Sequence, residues 1–140
     1  MAFFQAADRV AEGDRIGLMD AAIEEMSIAL ESNDADRGEW YIDADLRFHL
    51  AIAEATRNGV VLHTMDALRG VIRRALMAIF VVPDSPERSL EQHRAIRAAI
   101  AARDAGGARK AMRAHLVRVE ADVHNSLTAR SFAARGHSDG

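Results

Sequence analysis

The chain has 140 residues, no cysteine, and 18 basic against 21 acidic side chains, for a formal net charge of -3. This excludes disulfides, thiolate metal sites and cysteine nucleophiles, and it denies the chain the basic excess with which nucleic-acid binders neutralise phosphates. No segment approaches the roughly 20 apolar residues of a membrane span, and Met1 to Val10 lacks the charged-then-apolar order of a signal peptide, so a single soluble, cytoplasmic domain is expected.

Alanine, leucine, arginine and glutamate are plentiful, prolines number only 2, and no alternating run marks a strand, so helix is expected throughout. Gly13-Asp14 is expected to end a first short helix, with Asp14 capping a second from Arg15 to Leu30. There Ile16, Met19, Ile23, Met26 and Leu30 recur at threes and fours. The polar run Ser32 to Gly38 reads as a loop. A third helix spans about Trp40 to Thr56 and breaks at Asn58-Gly59. The fourth carries Val61, Met65, Leu68, Ile72, Leu76 and Ile79 on one stripe. In Val82 to Glu87, Ser85 is the expected N-cap, with Pro86 at the first helical position, where its missing N–H costs nothing. The fifth helix runs to about Arg103, Asp104 to Gly107 turns, and the last helix ends near Ala129. Residues 1–130 thus form one domain, followed by a loose tail over 131–140. Short loops make successive helices neighbours, which predicts an all-α antiparallel bundle of about six helices.

Several inward positions are polar. Asp45 and His49 lie one turn apart on the third helix. His93 falls on the stripe Leu90, His93, Ile96, Ile100, and His115 on the stripe Met112, His115, Val119, Val123. His93 lies 12 residues before Ala105 and His115 lies 10 after it. At ~1.5 Å per residue both stand at roughly the same height above the turn. The Asn58-Gly59 break follows His49 at a similar distance, so all four side chains can meet in one layer.

A lone inward histidine is commonly a hydrogen-bonded core residue, and an Asp–His pair at i, i+4 is commonly an ordinary hydrogen bond. Three histidines and an aspartate at matching heights form a coherent ligand set for a divalent cation. Imidazole suits zinc, nickel, copper and iron, and the carboxylate extends the set towards manganese. His124, turned about 180° from His115, is expected to face solvent. His63 falls off the stripe and His137 lies in the tail. Arg69, beside the inward stripe of the fourth helix, is either a snorkelling arginine or a guanidinium that clamps an anion next to the metal.

The segment from Asp45 to Asn58 resembles the D-x-x-F-H…N signature of the FCD domain, the effector-binding domain of FadR-type regulators in the GntR family. Glu91-Gln92-His93-Arg94-Ala95-Ile96 is similar to its E-x-H-x-x-I. Asp104-Ala105 through Ala114-His115-Leu116 is similar to its D…A…H-L. The resemblance spans about residues 15 to 125. It implies a helical bundle holding a divalent metal, zinc, nickel or manganese, on Asp45, His49, His93 and His115. It further implies a small organic-acid effector at open metal positions, and a homodimer. Family members begin with a winged-helix DNA-binding domain; none is expected within these 140 residues, and the first helix of the FCD domain is expected to be shortened. DNA binding is therefore expected only through such a domain and not from this chain itself.

The leading expectation is an allosteric sensor without enzymatic activity. An alternative is a metal-dependent hydrolase or oxygenase on a helical bundle, for which Glu54 is the nearest acidic candidate for a general base but turns away from the ligand face. A third reading is a closed structural site with four protein ligands. Trp40, Phe3 and Phe4 are candidate exposed or interface aromatics.

Overall fold

The computed structural model describes residues 12–55 and 59–136, and all secondary structure among them is helical. The helices are α1 (Glu12–Glu31), α2 (Arg37–Ala55), α3 (Gly59–Phe80), α4 (Ser85–Ala101) and α5 (Ala105–Gly136). They pack as an all-α bundle in which α1 lies against α2 and α4, α5 against α4 and α3, and α3 also against α2. The expected stripe of α1 packs inward through Met19, Ile23 and Met26, onto Tyr41, Ile42, Phe48 and Ile52 of α2 and Ile96 and Ile100 of α4.

Helix α1 already contains Gly13 and Asp14, so this pair is not the break that was expected, and anything before Glu12 (Phe3 and Phe4 included) lies outside the described residues. The count among the described residues is accordingly five, against about six expected. Helix α2 begins at Arg37 rather than Trp40, and Gly38 in its first turn sits against Phe80, where a Cβ would come within 3.1 Å of the ring. Trp40 is 45% exposed. Helix α5 runs past Ala129 to Gly136, and every residue from 127 to 136 is exposed.

The turns into α4 and α5 also differ from expectation. Asp84, not Ser85, occupies the N-cap of α4, with φ 64 and no side-chain cap bond. Ser85 is the first helical residue, and its hydroxyl donates to Asp122 Oδ2 at 2.8 Å. At the other end, Arg103 adopts φ 56. Arg103 N–H donates to Ile100 O at 3.0 Å and Asp104 N–H donates to Ala99 O at 2.9 Å, the paired bonds of a Schellman ending. Asp104 then caps α5, its Oδ1 accepting from Gly107 N–H at 2.9 Å. Ala105 to Gly107 therefore already belong to the helix.

Helix α3 is the exception in packing. Of its long apolar stripe, Ile79 is buried, Leu76 packs against the core and also borders a cavity, Val61, Met65 and Ile72 face that cavity, and Leu68 is 47% exposed.

Candidate metal centre

Three helices deliver Asp45, His49, His93 and His115 to one place. Asp45 and His49 come from successive turns of α2, His93 from the middle of α4, and His115 from α5. Asp45, His93 and His115 are buried, and His49 is half-buried. Phe48 is completely buried and lies against the ring of His93, with centroids 4.6 Å apart, forming a dry wall. The rings of His49 and His115 stack 5.4 Å apart.

The nearest polar atoms converge. Asp45 Oδ1 lies 3.2 Å from Nε2 of His49 and 3.2 Å from Nε2 of His93. His93 Nε2 lies 3.2 Å from His115 Nε2. One ligand atom from each of the three histidines falls within 4.8 Å of the others. Two ligands in neighbouring positions on an ion, each about 2.0–2.2 Å from it, sit roughly 3.0–3.5 Å apart, and the three 3.2 Å separations fall in that range.

The hydrogen bonding points the same way. Asp45 Oδ1 is close enough to both imidazoles for charge attraction, yet among the described residues it accepts no well-directed hydrogen bond. Proximity without alignment means the donor atoms face a shared point more than they face each other. A buried carboxylate oxygen in that condition costs several kcal/mol unless a cation meets it. The residues therefore fit a divalent ion.

Protonation suits the same role. Burial would raise the Asp45 carboxyl, but the imidazoles of His49 and His93 outweigh it and hold the group below the usual carboxylate range. Burial lowers His93, only partly opposed by Asp45. His115 is pushed down to about 3, by burial first and then by its neighbours His93 and His49. Neutral imidazoles beside an ionised carboxylate are the state that metal binding requires.

A cavity of about 440 Å³ opens onto this cluster. Asp45, His49 and His115 form its polar side. Val61, Met65, Ile72 and Leu76 of α3 and Met112, Leu116 and Val119 of α5 form most of its apolar side, which Leu46, Ile52 and Ala53 of α2 complete. Arg69 does not line it. That residue is exposed in a neighbouring cleft with Asp43, Arg47 and Arg73, and Leu46 borders both spaces. Glu54 is half-buried and ion-paired with Arg15. His63 and His124 are exposed, and His137 lies outside the described residues.

Two residues that the inward-face pattern passed over also belong to the site. Gln92 Oε1 lies 2.9 Å from His115 Nδ1, and Arg118 Nε donates to the same oxygen at 2.8 Å. The available signal was a pair of polar stripes, Ser85, Ser89 and Gln92 on α4 and His115, Arg118 and Asp122 on α5, each spaced at threes and fours.

The fold and site define an all-α bundle with a buried Asp/His cluster beside a largely apolar cavity. The chain belongs to the FCD domain family of GntR-type transcriptional regulators, whose model matches residues 1–118. It is 38% identical over 117 residues to an Escherichia coli (strain K12) protein provisionally named an L-lactate dehydrogenase operon regulatory protein, covering 81% of this chain and 42% of that protein. It is 33% identical over 120 residues to the HTH-type transcriptional regulator LutR of Bacillus subtilis (strain 168), covering 82% of this chain and 52% of LutR. The chain thus spans about half the length of the curated relatives it matches. Among the described residues no helix is long and apolar enough to cross a membrane.

Proposed function

We propose that this domain senses a small organic acid through a divalent metal held by Asp45, His49, His93 and His115. The observation that carries the reading is the convergence of these donors, from three helices, with Asp45, His49 and His115 on the wall of an otherwise apolar cavity and His93 buried behind them. Among the described residues the cavity lining contains no arginine or lysine, so an effector's carboxylate would meet its counter-charge at the metal, and its apolar part would lie against α3. Arg69, in the cleft beyond Leu46, would add attraction at longer range. The name of one relative refers to an L-lactate dehydrogenase operon, which makes a 2-hydroxy acid the first effector to try. Zinc, nickel and manganese are the candidate ions.

Binding would act as a switch because α3 is the helix least anchored in the core. A ligand between α3 and α5 has differential contacts with any two positions of α3, and that difference is what shifts a conformational equilibrium. We read the domain as a homodimer, with DNA engaged only through a separate winged-helix domain, and as non-enzymatic: Glu54, the nearest candidate base, is paired with Arg15 away from the cavity.

The test is calorimetric titration of L-lactate and a panel of other small organic acids into zinc-loaded and chelator-treated protein. Binding that requires the metal is expected. Failure of every acid to bind the loaded protein would remove the sensor reading and leave a structural metal site.

A further inference from the structure

The α4–α5 seam extends beyond the four donors, and Arg118 is its hub. Its Nε donates to Gln92 Oε1 at 2.8 Å. One terminal nitrogen donates to Ser85 Oγ at 3.2 Å and pairs with Asp122, and the other donates to Ser89 Oγ. Ser85 Oγ itself donates to Asp122 Oδ2 at 2.8 Å. The guanidinium fork is thereby fixed by groups on both helices.

This network dictates how Gln92 meets His115. Its side-chain oxygen faces the Arg118 N–H; turning the amide over would set NH2 against another donor. Oxygen can only accept, so the ring atom 2.9 Å away, His115 Nδ1, must carry the proton. Nε2 of His115 then keeps its lone pair, on the side facing His93 and the cavity. His93 differs, since its Nδ1 has no hydrogen-bond partner among the described residues and its ring packs against Phe48.

We propose that Gln92 and Arg118 are positioning residues of the metal centre, which lock His115 in its Nδ1-protonated tautomer and aim Nε2 at the point shared with Asp45 and His93. The role in metal binding rests on the reading given above, but the lock is a property of the metal-free protein too. Partners of this kind, behind a ligating histidine, typically change metal affinity by about 10–100-fold.

The experiment pairs two readouts on wild type, Gln92→Met and Gln92→Glu. Long-range proton–nitrogen correlation spectra of zinc-free, nitrogen-15-labelled protein report the His115 tautomer, and competition with a chromophoric chelator reports zinc affinity. Wild type is expected to show protonated Nδ1 and bare Nε2. Gln92→Met, which keeps the length but removes the acceptor, should mix the tautomers and weaken zinc binding by about 10–100-fold. Gln92→Glu should restore both. If Gln92→Met does not fold, Arg118→Lys, which frees the amide to turn, carries the same expectation. A protonated Nε2 in wild type, or an unchanged tautomer and zinc affinity in folded Gln92→Met, overturns the proposal. Should wild type bind no zinc, the metal reading fails separately, and the spectra still decide the lock.

Discussion

His93 Nε2 and His115 Nε2 lie 3.2 Å apart in the seam between α4 and α5, although 22 residues separate them in the chain. In the metal-free protein, one proton can lie between two such nitrogens. A divalent cation replaces that proton and also meets the stranded Oδ1 of Asp45, so occupancy of the centre should join α2, α4 and α5 in a way the free protein lacks.

Zinc should therefore stabilise the fold. With free zinc at 100 times its dissociation constant, about 2.7 kcal/mol is expected, and chelation should reverse it. Metal analysis of purified wild type beside His93→Ala should find about one ion per chain in the first and little in the second. Equal metal content in both would show that the ion binds elsewhere.

Metal-free protein should lose stability as the pH falls from neutrality. His93 and His115 sit below the ordinary 6.5 in the folded state, His115 at about 3. Between these values the unfolded chain takes up protons that the folded chain refuses. Stability is thus fully present above about 6.5 and drains away on acidification, each histidine contributing up to about 1.4 kcal/mol per pH unit. Asp45, held below 3.8, adds the same sign at the acid end. Urea midpoints at pH 7, 6, 5 and 4 should decline in sequence, and less steeply in His115→Met; a flat wild-type profile would contradict the assignment.

Filling the cavity should separate effector binding from metal binding. Met65 lines the apolar side of the cavity and is not among the four donors. Met65→Trp is expected to abolish organic-acid binding in calorimetry while zinc stoichiometry stays at wild-type level. Retained acid affinity would place the effector outside this cavity.

The two glycines opening α5 should respond in opposite directions. A Cβ on Gly107 would lie 2.2 Å from Asp104 Oδ2, whereas one on Gly106 would come no closer than 3.9 Å to Asp104 Oδ1. Gly107→Ala is expected to displace the cap and cost about 1 kcal/mol despite the better helix propensity of alanine, while Gly106→Ala should gain up to about 1 kcal/mol. Thermal denaturation of the two variants decides this, and the same sign for both would refute the capping geometry.

Helical periodicity was enough to read an all-α bundle, and inward polar positions were enough to single out Asp45, His49, His93 and His115, which the fold brings together, because a buried charge on an apolar stripe is costly and so conspicuous. Helix ends were less legible. Asp84 and Arg103 take left-handed conformations that their residue types do not announce, and Asp104 acts as a cap only because Gly107 leaves room for its carboxylate.

The amino-acid order by itself determined which faces turn inward, since a period of 3.6 residues places side chains on a helix regardless of its neighbours. Only the tertiary structure decided that the stripe of α3 borders a cavity, that Arg69 falls outside it, and that Gln92 and Arg118 stand behind His115. Those outcomes depend on the distance and rotation between helices, which packing of the whole core sets and no single helix encodes.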